Sequence, residues 1–160
     1  MDKVIQLKDW PQPTVVAEPA VCTVGNSLVL RYNTQDDAVV IITFPMAYVF
    51  TFGAPNDEAL GGHPLGKNGL QFYSVHRVDE SSWIQELARR NSIHPRHDQS
   101  RFLAEKVHYI FTFQDQTLEC IAMEGQFWKP EIVVSKTGDE ADEIWRTKIG
   151  AEQPRRTLRR

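Results

Sequence analysis

Between residues 38 and 52, large apolar side chains recur at every second position: Val40, Ile42, Phe44, Met46, Tyr48, Phe50 and Phe52. Extended chain points successive side chains to opposite faces, so this period of two predicts a long strand with one strongly apolar face. Such a face must be buried against a second layer, which directs the chain toward packed sheets. Pro45 supplies no backbone donor, so the strand is expected to lie at an edge there or to bend through a bulge. The apolar window of residues 38–50 is shorter than the roughly 20 residues a membrane-crossing helix needs, and reads as buried strand.

Other segments repeat this character. Residues 21–24 and 28–32 flank Gly25-Asn26, and a glycine at the first central position suits a type II′ hairpin turn. Strand pairing is expected to begin near Ala20, after a strap at Trp10-Pro11-Gln12-Pro13 whose prolines suit unpaired backbone. A strand is predicted over residues 70–78. A helix follows, opened by Ser82 with Gln85 at capping-box spacing and carrying Trp83, Ile84, Leu87 and Ala88 on its packed face. Asp98 caps a short helical turn reaching Ala104.

Residues 108–113 then form a hairpin with residues 118–123. Pairing Phe113 with Leu118 sets Phe111 opposite Cys120 and Tyr109 opposite Ala122 on one face, with Thr112 opposite Glu119 and His108 opposite Met123 on the other. A final strand over residues 131–135 and a docking helix with Ala141, Ile144, Trp145 and Ile149 complete the expectation. The predicted fold is mainly β: an antiparallel sandwich or partly open barrel of about six to eight strands, with one packed α-helix and a short C-terminal helix. It occupies residues 1–150 as a single β-rich domain, followed by a basic disordered tail over residues 151–160.

Charge and cysteine content narrow the partners. Among 160 residues, 18 Lys and Arg against 21 Asp and Glu give a formal charge of −3, which supplies no overall field for a polyanion. Neither nucleic acid nor a membrane is expected as a partner. The N-terminus lacks the apolar stretch of a signal peptide, so the mature protein is expected to start near Met1. Cys22 and Cys120 lie far apart in the chain and outside any CxxC pattern, as expected of reduced thiols in a cytoplasmic protein. Cys120 shares the aromatic face of the hairpin, where it acts as a small hydrophobe rather than a nucleophile.

Chemistry-bearing residues concentrate in three segments. The first is a long glycine-rich loop over residues 53–69 that holds Asn56, Asp57, Glu58 and His63; long ordered loops are disproportionately functional. The second holds His94 and His97, three apart, a spacing at which two imidazoles can share one divalent metal with a carboxylate from elsewhere. Beside Pro95 and Arg96, the same pair reads more economically as solvated loop. The third is the hairpin, where Glu119 is the polar candidate, as ligand or general base. Candidate metal ligands are therefore His63, His94, His97 and Glu119, and candidate acid–base groups are Asp57 and Glu58. A divalent transition metal is the candidate cofactor. No glycine-rich phosphate loop joins a strand to a helix.

The strings Phe52-Gly53-Ala54-Pro55-Asn56-Asp57-Glu58-Ala59, Gly62-His63-Pro64-Leu65, Ser81-Ser82-Trp83-Ile84 and His94-Pro95-Arg96-His97, with the segment 108–122, occur in one order. Together they resemble a family of small, uncharacterised bacterial proteins with GPPNDEA-like, GHPL, SSWI, HPxH and FTFHDSTFEC-like segments. The resemblance spans about residues 38–125 and implies no reaction. This chain departs from it at Gln114, where the family pattern has histidine. From the residues, the leading expectation is a small cytoplasmic binding or accessory protein that presents the loop residues Asn56, Asp57, Glu58 and His63, with the segment 94–98, to a small molecule or protein partner. The alternative is a metal-assisted enzyme with a His/carboxylate site in a cleft of the β-domain.

Overall fold

In the computed structural model, which describes residues 1–150, nine strands form two antiparallel sheets with three helices outside them. The strands are β1 (Lys3–Gln6), β2 (Ala20–Val24), β3 (Ser27–Asn33), β4 (Val39–Phe44), β5 (Ala47–Gly53), β6 (Val75–Asp79), β7 (Lys106–Thr112), β8 (Thr117–Met123) and β9 (Glu131–Ser135). The helices are α1 (Ser82–Asn91), α2 (Gln99–Ala104) and α3 (Gly138–Lys148). One sheet has the order β1-β6-β7-β8-β5 and the other β2-β3-β4-β9. Neither closes into a barrel, and the mainly β, sandwich-like expectation holds. The tail expected over residues 151–160 lies outside the described residues.

The core lies between the sheets. Tyr32, Val40, Ile42 and Phe44 from the four-stranded sheet meet Tyr109, Phe111, Leu118 and Cys120 from the five-stranded one. Aromatic pairs such as Tyr32 with Phe111, centroids 6.0 Å apart and nearly edge-to-face, add directional packing to the buried area. Cys120 is fully buried and both cysteines are free, and burial pushes the Cys120 thiol up.

The alternating run that dominates the sequence is two strands rather than one. The chain leaves the four-stranded sheet after Phe44, turns at Pro45-Met46 and enters the other sheet as its edge strand β5. A register shift between Ala47 and Val49 then resets the parity. Phe50 keeps to the core, while Tyr48 stacks edge-on against Phe102 of α2 at 5.4 Å on the far side. A donor-less proline and a bulge suffice to reassign the second half of an otherwise uniform pattern.

Four further expectations are corrected. Pairing starts with β1 rather than near Ala20, because Lys3–Gln6 adds an edge strand to β6. The strand expected over 70–78 is only Val75–Asp79, since Tyr73 adopts a left-handed φ of 49° that interrupts extended chain. Ser81, one residue earlier than expected, caps α1 by accepting a hydrogen bond from the Ile84 amide. The β7–β8 hairpin turns at Gln114-Asp115, with the Phe113 amide donating to the Gln116 carbonyl at 2.9 Å. Its register is therefore Phe111 to Leu118, Ile110 to Glu119 and His108 to Ile121. This is two residues from the expected pairing, so every side chain keeps its predicted face but changes neighbour. The Gly25 hairpin, the Asp98 cap, β9 and α3 form as expected, with Gly25 at φ 58°.

Candidate functional site

The outer face of the five-stranded sheet carries polar rows. Pairing places Gln6, His76, Ile110, Glu119 and Thr51 in one line across it, with Val4, Val78, His108, Ile121 and Val49 in the next. Helices α1 and α2 cover the second row near Ile121 through Ile84, Ala88 and Phe102. The loop of residues 53–69 covers the first. Leu65 anchors this loop by packing on Val78 and Ile110, and two short 3₁₀ turns, Leu60–Gly62 and Gly66–Asn68, bracket His63. Gly66 is required for their close approach, since a Cβ there would lie 2.8 Å from the Leu60 carbonyl oxygen.

These covers bring together four side chains. Nε2 of His108 lies 3.2 Å from Oε1 of Glu119, and Nε2 of His63 approaches the same oxygen at 3.3 Å. On the far side of its ring, Nδ1 of His108 is 2.9 Å from the Ser81 hydroxyl. Nδ1 of His63 accepts the Leu65 amide at 3.0 Å. A nitrogen that accepts an N–H carries no proton, so neutral His63 carries its proton on Nε2, the nitrogen beside the carboxylate. The same logic serves His108: a carboxylate only accepts, so Nε2 donates to it and Nδ1 accepts the Ser81 hydroxyl proton. An anionic Glu119 between two neutral imidazoles thus satisfies these contacts together.

Burial would push the Glu119 carboxyl up, but hydrogen bonding to His108 and His63, with the positive charge those imidazoles carry once protonated in acid, outweighs it and holds the group down at about 2. Trp83 stacks edge-on over His108 at 5.3 Å, shutting its far face from water. The side chains of His108 and His63 are only 2% and 5% exposed, whereas that of Glu119 is 21% exposed and opens into a cleft of about 500 Å³. Thr51, Thr117, His63 and Glu119 supply its polar lining, and Ala54, Pro55, Ala59 and Pro64 its apolar walls. Thr117 spends its hydroxyl proton on the Pro55 carbonyl at 2.9 Å.

No family model, curated protein or solved structure matches this chain. The site therefore rests on its own geometry.

Of the candidate residues, His63 and Glu119 meet in this cleft and the others do not. Asn56 caps the turn that opens the loop by accepting the Ala59 amide at 3.1 Å. Asp57 accepts the Tyr73 hydroxyl at 2.6 Å and donates its amide to Gln114, fastening the loop to the hairpin tip. Glu58 is exposed and does not line the cleft. His94 is exposed, its Nδ1 accepting the Arg96 amide within its own turn. His97 pairs with Asn91 at 2.9 Å and lines a separate depression with Arg96, Arg101 and Lys106. The alternative of a metal held by His63, His94, His97 and Glu119 finds no support: among the described residues no group of three His, Cys, Asp or Glu is arranged to hold an ion. Both Nε2 atoms converge on a carboxylate oxygen rather than on an empty centre.

His108 and Ser81 join the site without having been among the sequence candidates for it: His108 was weighed only as a base for Cys120, and Ser81 had no role. The signal for His108 was the hairpin parity, which already set His108 and Glu119 on one face. Only the tighter turn makes them diagonal neighbours.

Proposed function

We propose that this protein binds a small molecule in the cleft above Glu119, with Glu119 as the principal contact and His63 and His108 as the groups that aim its carboxylate. The observation that carries this reading is the meeting of loop and sheet, where a partly exposed carboxylate held by two buried imidazoles opens into a concave, largely apolar space. His108 holds the carboxylate from outside the cleft and His63 from its wall, which is the arrangement of a preorganised polar anchor. The segment 94–98 plays no part in this reading, since it lies against a different depression. Two free cysteines, one of them fully buried, support a reducing cytoplasmic setting. Among the described residues no helix is long and apolar enough to cross a membrane.

A fragment screen read by backbone amide shifts tests the proposal. Binding should perturb residues 51–64 and 117–119, and Glu119→Gln should weaken every hit mapped there. Hits confined to the depression beside His97, or none at all, would overturn it.

A further inference from the structure

We infer that the ligand of this cleft is a small alkylammonium ion, an inference that rests on the small-molecule reading above. The argument is a count of donors and acceptors. Both Nδ1 lone pairs are occupied, by the Leu65 amide and the Ser81 hydroxyl; Nε2 of His108 donates to Oε1 of Glu119, and Nε2 of His63 stands 3.3 Å from the same oxygen. The Thr117 proton goes to the Pro55 carbonyl. What remains for a ligand is mainly acceptor capacity: Oε2 of Glu119 and the lone pairs of Thr117, with the Thr51 hydroxyl at the rim able to accept or donate. Among the described residues no Lys or Arg lines the cleft to balance the carboxylate. A carboxylate, phosphate or carbonyl ligand would meet like charge and like lone pairs, and both cost free energy in a partly desolvated site.

An ammonium group is the complement, since it carries three donors and no acceptor and pairs with a carboxylate through short charge-assisted bonds. The walls of Ala54, Pro55, Ala59 and Pro64 offer contact to a short hydrocarbon chain. The chemistry is thus an amine head bound at Glu119 with a small apolar body against the loop.

Four probes of equal chain length separate the causes: n-butylammonium, n-butyltrimethylammonium, n-butanol and butyrate, titrated against the full chain at pH 7 with amide shifts as the readout. n-Butylammonium should bind at the cleft at least about tenfold more tightly than n-butanol, as expected for a charge-assisted bond, and butyrate should not bind. The quaternary ion lacks N–H donors and should bind more weakly than the primary amine. Glu119→Gln should abolish the preference for ammonium over alcohol. Thr51→Lys, at an exposed rim position that leaves both histidine contacts in place, should block the amine by filling the cleft with a cation. Glu58→Gln should change nothing.

Equal binding of alcohol and amine, or preference for butyrate, would overturn the ammonium assignment and leave the cleft reading standing. So would fragment hits at the cleft with no response to any of the four probes. Failure of every compound in both experiments would overturn both.

Discussion

The two sheets have outer faces built on opposite plans. On the four-stranded sheet, Val29 and Ile41 pack beneath α3 against Ala141, Ile144 and Trp145, and an Arg31–Asp142 pair closes the edge. On the five-stranded sheet, His76, His108, Thr112 and Thr117 are buried and Glu119 is half-buried. A helix offers a sheet only side chains, because its own backbone groups bond one another, so an apolar stripe on an apolar face is the stable solution. A loop arrives with unpaired amides and carbonyls. The Gln71 amide finds His76, and the Pro55 carbonyl finds Thr117. Polar side chains on that face are thus the partners a loop cover demands, and Glu119 is the one that also opens to solvent.

Four measurements break or sharpen this contrast. The largest effect is expected from Ile41→Ala beneath α3, a cavity costing about 2 to 5 kcal/mol. Urea denaturation should show that loss with little dependence on pH, and amide shifts of the Glu119 cleft should be unmoved.

Next is Glu119→Gln. The folded carboxyl is held at about 2, below its ordinary value of 4.5, so its stabilisation is complete above pH 4.5 and is lost as pH falls toward 2. A depression of that size corresponds to up to about 3 kcal/mol. Urea titrations at pH 6, 4 and 3 should show the wild-type chain losing stability over this window and the variant losing less. Parallel curves would remove the charge-assisted role of the two imidazoles.

His76 acts in a higher window. Burial pushes it down to about 4 from 6.5, and the opposing pull of the Ile110 backbone is smaller. The folded state therefore refuses a proton that the unfolded chain accepts. Stability is full above pH 6.5 and falls toward pH 4, by at most about 3 kcal/mol and less if a water reaches the ring. His76→Gln keeps an acceptor for the Gln71 amide and should flatten the stability profile between pH 6.5 and 4 alone, leaving the Glu119 window in place.

The smallest effect belongs to Ser81→Ala, which removes the cap of α1 and the hydroxyl partner of His108 for about 1 to 2 kcal/mol. If Ser81 also fixes the His108 tautomer, the imidazole nitrogen shifts of His108 will change in this variant. An Asn at the same position, which can cap but reaches differently, should restore stability without restoring those shifts.

Much of the architecture was legible in the residues. Alternation over 108–113 and 118–122 named the inner face correctly, because a strand's faces follow from parity alone and survive even the two-residue error in the hairpin register. Ala141, Ile144 and Trp145 declared the docking face of α3 by helical spacing. Glu119 and His63 could be nominated as polar residues on a sheet face and in a long loop. Local chemistry also marked Pro45 as a place where the strand had to bend.

Which sheet each half of the 38–52 run joins, and which nominated residues meet, were decided by tertiary structure. Parity is a local property of extended chain, whereas sheet membership depends on which edges remain free after other strands have paired. The meeting of His63 with Glu119 depends on Leu65 seating the loop on Val78 and Ile110, a contact between residues distant in sequence. His94 and His97 had the more suggestive spacing, yet His94 turns back on the Arg96 amide and His97 lines a separate depression, apart from the cleft of Glu119. Spacing along a chain sets which side chains share a face; only packing sets which faces meet, since convergence is fixed by long-range contacts that no single segment encodes.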